Sequence, residues 1–174
     1  MIHLNQQQVK EKYEELDGIA FIQWLTDGYL AAIGGTLTAE NMDELSNEQH
    51  TVLCYRYLLD EVMEGGFIQL IQNGFAPYVL DGPFPMVVKK VWGEQVGEDV
   101  AVMKNFSKLL YAARSEYHRH EGAFDVDMSD EDFMALYEQL EELNELGDDF
   151  LDDHQEEVTP LVAQLIVANL NMYA

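Results

Sequence analysis

Lysine and arginine are absent from His120 to Ala174, a stretch that carries 16 aspartates and glutamates. Across all 174 residues there are 9 basic and 33 acidic residues, a net charge of −24. Fixed charge of one sign opposes a compact fold by self-repulsion and attracts cationic partners over a Debye length, roughly 8 Å at physiological salt. Direct binding to nucleic acid or to an anionic membrane is disfavoured, because both are polyanions. Cysteine is nearly missing too: Cys54 stands alone, which rules out an intrachain disulfide and a cysteine-rich zinc site. No apolar run approaches the ~20 residues of a membrane span, and the first residues, Met1 to Gln8, lack the basic start and apolar core of a secretory signal. A cytoplasmic protein is expected. No phosphate loop, dinucleotide fingerprint or paired E-x-x-H is present, so no cofactor, metal or catalytic residue is assigned and the expectation is a protein that is not an enzyme.

Apolar residues are plentiful by contrast. They make up 48% of the chain and include Trp24, Trp92, nine Tyr and eight Phe, enough to build a core rather than an acidic disordered tail. Charge divides the chain into residues 1–85 at −10, 86–120 at +2 and 121–174 at −16. No proline- or serine-rich linker separates these parts and no repeat is found, so residues 1–174 read as a single domain.

The pattern of apolar residues and caps is helical nearly throughout, and the fold class is all-α. Gln6 to Leu16 is helix-forming, and Asp17-Gly18 breaks it before Ile19 to Ile33, which Gly34-Gly35 ends. Ser46-Asn47-Glu48-Gln49 is a capping box opening a helix to about Glu64, with Val52, Tyr55, Leu59, Val62 and Met63 on one face. Phe67 to Asn73 and Met86 to Trp92 are short helical candidates. From Val100 to His120, Val102, Met103, Phe106, Leu109, Leu110, Ala113 and Tyr117 fall on one side and Lys104, Lys108, Arg114, His118 and Arg119 on the other. Ser129 caps a helix expected to reach about Leu146, and Thr159-Pro160 marks the start of a last, uncharged helix, Leu161 to Met172, read as core or a subunit interface, with core favoured.

Wound as one helix, the segment from Asp130 to Asp149 places Asp130, Glu131, Glu138, Glu141, Glu142, Glu145, Asp148 and Asp149 within an arc of about 120°. Asp152, Asp153, Glu156 and Glu157 extend the run. Solvated helix faces usually interleave lysine with glutamate; this one has none. Like charges at i,i+4 cost a few tenths of a kcal/mol each, so the pattern works against the helix that carries it. These carboxylates, through Glu156, are the candidate surface for a basic partner. The cations of residues 104–119 are expected to pair with the protein's own acids.

The alternative reading, a small enzyme or metal-binding protein using the His50, Cys54 and Glu61 or the His118 and His120 region, rests on weaker groupings. His50, Cys54 and Glu61 lie on one side of a helix, but one straight helix supplies no oxyanion donors. His118 and His120 lack further ligands at metal spacing. Asp125-Val-Asp127-Met-Ser129 opens like a calcium loop, yet Asp130 replaces the glycine and Leu136 the final glutamate.

One motif points to a family. Glu61-Val62-Met63-Glu64-Gly65-Gly66-Phe67-Ile68-Gln69 resembles the E-V-x-x-G-G-F-x-Q core of a family of small all-helical bacterial proteins that includes the acidic DNA-mimic (DMP) type. The resemblance implies a homodimer whose negative surface imitates the phosphates of duplex DNA and occupies the DNA-binding face of a helix-turn-helix transcription factor. Read from the residues alone, Gly65, Gly66 and Phe67 are structural: the glycines permit a positive φ at the end of a helix, and Phe67 enters the core.

Overall fold

In the computed structural model, which describes residues 1–174, every regular element is helical. In chain order these are α1 (Gln6–Glu15), α2 (Gly18–Ala32), α3 (Asn47–Gln72), α4 (Ala76–Val79), α5 (Phe84–Val87), α6 (Gly93–Gln95), α7 (Val100–Arg119), α8 (Asp130–Gln139), α9 (Glu141–Asp149), α10 (Gln155–Ala168) and α11 (Leu170–Tyr173). Two π turns, Val88–Trp92 and Phe150–His154, join α5 to α6 and α9 to α10 without interrupting the helical backbone. The chain divides into two compact units, Met1–Arg56 with Thr159–Ala174, and Tyr57–Val158.

In the first unit the caps behave as their residue types dictate. The Asn5 side chain accepts from the amides of Gln7 and Gln8, and Asp17 accepts from Ala20 at 2.8 Å. Gly34 and Gly35, with φ of +97° and +100°, end α2. The capping box is reciprocal: Gln49 N donates to Ser46 Oγ at 3.2 Å, and Ser46 N to Gln49 Oε1 at 3.1 Å. Phe21, Ile22, Leu25, Tyr29, Val52 and Tyr55 are fully buried. The Tyr55 hydroxyl meets Thr159 Oγ1 at 2.8 Å, giving a buried phenol its partner.

The second unit is organised around α7. Phe106 on this helix lies 6.3 Å from the ring of Phe84 and 5.9 Å from that of Phe150, and Phe84 in turn packs edge-on against Trp92. Met103, Leu109, Leu110 and Ala113 are buried on the same face, as their spacing predicts. Ser107, also buried, donates to the Pro85 carbonyl at 2.8 Å.

Three expectations need correction. Met63 is exposed rather than on the buried face with Val62, because the helix bends just beyond it. The helix opened by Ser129 stops at Leu140, whose φ of −114° and ψ of +52° make it the end of α8 and the start of α9. Leu136, Leu140 and Leu143 are all buried there, and the break separates Glu138 from the carboxylates that follow it, which relieves like-charge repulsion along one helix. Thr159-Pro160 opens nothing: Pro160 lies inside α10, which continues the helix begun at Glu141. The carbonyl four residues back belongs to exposed Glu156, so water can satisfy what the proline nitrogen cannot.

Candidate functional site

The glycine motif builds a locked bend. Gly65 (φ −150°) and Gly66 (φ +70°, ψ −172°) interrupt α3, and the latter backbone conformation belongs almost only to glycine. Glu61 Oε2 then accepts from Gln69 Nε2 at 3.0 Å and from Asn73 Nδ2 at 2.8 Å, tying the turn before the bend to the two turns after it. A Cβ at Gly65 would stand 2.1 Å from the Gln69 amide oxygen, so the glycine makes room for the glutamine. Tyr137 OH donates to the Gly65 carbonyl at 2.6 Å, and α9 approaches so closely that a Cβ on Gly147 would lie 3.2 Å from Gly66 Cα. Phe67 is fully buried. The motif thus holds α8 and α9 against α3.

That bend matters because α9 begins the acidic surface. From Glu141 to Glu157 the chain carries nine carboxylates, all on exposed residues, along one continuous helical run. Its length at 1.5 Å per residue is about 24 Å, or one charge per ~2.7 Å, between the 3.4 Å per charge of one DNA strand and the 1.7 Å of both. The π turn sharpens the band. Wound as uninterrupted α-helix, the nine carboxylates would spread over roughly 180° of the cylinder; the residue taken up by the π turn brings Asp152, Asp153, Glu156 and Glu157 back into line and narrows the arc to roughly 135°. Glu141, Glu142, Glu145, Asp148, Asp149, Asp152, Asp153 and Glu156 therefore share one face with Glu157. Asp130, Glu131 and Glu138, although exposed, belong to a separate helix, so the single stripe across Asp130–Asp149 does not exist as wound.

Helix α7 runs antiparallel along this band, and hollows of about 350, 400 and 390 Å³ mark the seam. At one end Arg119 Nη1 lies 2.6 Å from Glu116 Oε1 and 3.5 Å from Glu142 Oε2. Glu116 is buried, and His120 Nε2 stands 3.7 Å from its other oxygen. Arg114 is occupied by Asp81 at 3.3 Å. The cations of α7 therefore pair with the protein's own acids at Arg114 and Arg119, whereas Lys104 and Lys108, like Lys89 and Lys90 ahead of them, make no ion pair. His154 sits within the band, but burial lowers its pKa against the pull of Asp153, Asp149 and Glu157, so it adds no positive charge there at neutral pH.

The remaining candidates do not assemble. Cys54 Sγ and His50 Nδ1 are 3.7 Å apart, yet burial pushes the thiol up to about 12 and the imidazole down, which favours a neutral pair over a thiolate nucleophile. Glu61 is engaged with Gln69 and Asn73. His118 bonds Asp81 and, at 2.5 Å, Glu121, which raises its pKa; no group of three His, Cys, Asp or Glu side chains is placed to hold a metal ion. No helix is long and apolar enough to cross a membrane.

The break at Leu140, the π turn and the reach of Arg119 to Glu142 were not foreseen. Only the π turn left a trace in the sequence: a row at Phe150, His154, Val158 and Val162 keeps a spacing of four where an α-helix alternates three and four.

Fold and surface together define an acidic, all-helical protein whose carboxylates are concentrated on one helical run. Residues 43–169 match the family described as DMP19-like protein, and the chain belongs to that family. It is 26% identical over 166 residues to the DNA mimic protein DMP19 of Neisseria meningitidis serogroup B, an alignment spanning 94% of this chain and 93% of that one.

Proposed function

We propose that this protein is a DNA mimic that binds the DNA-binding face of a helix-turn-helix transcription factor and keeps it off its operator. The carboxylates from Glu141 to Glu157 meet the arginines and lysines that otherwise neutralise phosphates. The observation that carries this reading is the band itself: nine exposed carboxylates at a linear density within the range of DNA, of which a single Lys or Arg side chain touches one. Membership of the DMP19-like family supports it. Asp130, Glu131 and Glu138 on α8 supply a second group of acids for the same partner. The protein acts without catalysis, in the cytoplasm, and as a homodimer that presents the band twice.

Affinity capture from lysate, repeated with competing duplex DNA, tests the reading. The expected catch is a DNA-binding protein that DNA displaces, with an affinity that falls steeply between 50 and 500 mM salt, because each contact is an ion pair screened by salt (concentrations of the order used for DNA complexes). Binding unchanged over that range would refute it.

A further inference from the structure

Arg119 occupies a particular place on the band. It is the only Lys or Arg within 4.0 Å of any carboxylate from Glu121 to Glu157, and the carboxylate it reaches, Glu142, stands near the N-terminal end. It is not at liberty to leave, because its shorter bond, 2.6 Å, is to Glu116, a buried carboxylate that needs a counter-charge. At the other end of the seam Lys108 shares a hollow with Asp153 and Glu157. Between these two cations α7 lines a hollow of about 400 Å³ with Ala112, Ser115 and Glu116, and offers no Lys or Arg to Glu145 and Asp149 across it.

We propose that Arg119 masks Glu142 within the cation-accepting surface: anchored on Glu116, it holds Glu142 and repels a partner's basic side chain from that position, so that along the helical run after it the partner registers on Glu145 and the carboxylates beyond. A purely structural Arg119 would serve Glu116 alone. The assignment rests on the mimic reading and specifies where along the band contact begins.

The test is a double-mutant cycle with an oligo-arginine peptide as probe, at low salt. Its first arm is the pair Glu116→Gln with Arg119→Gln, which removes one charge of each sign, leaves the net charge unchanged and avoids stranding a buried carboxylate; thermal melting checks that it folds like wild type. Its second arm is Glu142→Gln, made in wild type and in the paired variant. The paired variant is expected to bind the peptide roughly two- to fivefold more tightly, the scale of an exposed ion pair, and Glu142→Gln is expected to abolish that gain while changing wild-type binding little. An equal effect of Glu142→Gln in both backgrounds would overturn the assignment and leave Arg119 as the counter-ion of Glu116. Should the paired variant fail to fold, Arg119→Gln alone, which removes the one nitrogen that meets both carboxylates while His120 stays 3.7 Å from Glu116, carries the same cycle, and no coupling to Glu142→Gln there would likewise overturn the assignment. Failure of the mimic reading shows separately, as a wild-type protein that leaves a helix-turn-helix domain on its duplex DNA even when the cycle couples.

Discussion

Helix α7 and the run from α9 into α10 lie side by side, both with an apolar face toward the core, yet they spend their charged residues differently. On α7, Arg114 meets Asp81 and Arg119 meets Glu116, so half of its four Lys and Arg side chains serve the fold. On the neighbouring run nine carboxylates face outward and one is touched by a cation. Internal pairing balances charge where the fold needs it; carboxylates left without cations store repulsion that a basic partner relieves. The contrast locates the functional surface better than net charge does, since −24 is a property of the whole chain and the imbalance belongs to one run.

The contrast breaks most sharply if the band is reversed. Replacing Glu145, Asp149, Asp152 and Asp153 together by lysine is expected to weaken partner binding ~100-fold or more, with helicity by circular dichroism retained; replacing Lys89, Lys90, Lys104 and Lys108 by glutamate is expected to do no comparable harm. Next comes the bend that sets α9 in place. Gly66→Ala forces a side chain into φ +70°, ψ −172° and should cost about 1–3 kcal/mol in a denaturant melt. Glu61→Ala removes the one oxygen that accepts from both Gln69 and Asn73 and should cost about 1–2 kcal/mol by the same measurement.

The smallest effect is expected at His118, on the α7 side. Bonding to Asp81 first, and to Glu121, raises its pKa above the ordinary 6.5, while Arg114 on the same helix reaches the same Asp81 oxygen, Oδ1, at 3.3 Å. A folded-state pKa above the unfolded one means that this clasp contributes fully below about pH 6.5 and fades as pH rises through the elevated value. Asp81→Asn should lower the His118 titration midpoint, read by NMR; an unmoved midpoint would show that the clasp does not form in solution.

Much of the fold was legible because its signals are local. Ser46 and Ser129 cap helices through their own side chains, Asp17-Gly18 separates α1 from α2, and the glycine pairs at 34–35 and 65–66 end or bend helices through φ. The breaks that were hidden depend on neighbours. Leu140 carries no breaker residue, and its kink follows from burying three leucines of α8 and α9 together; Pro160 looks like a start until the helix upstream is known to continue into it. The composition of the acidic surface was plain, but its shape was not. Asp130, Glu131 and Glu138 share a wheel with Glu141–Asp149 only if no break intervenes, and the alignment of Asp152–Glu157 needs a π turn whose one trace is the spacing of four from Phe150 to Val162.

The central claim is that the carboxylate run occupies the site that DNA would occupy. It is tested most directly by titrating the protein into a preformed complex of the captured factor and its labelled operator, and following free DNA. Release of DNA in proportion to added protein, with none released by the variant carrying lysine at 145, 149, 152 and 153, is the predicted result. A ternary complex in which the factor holds both DNA and this protein would contradict it.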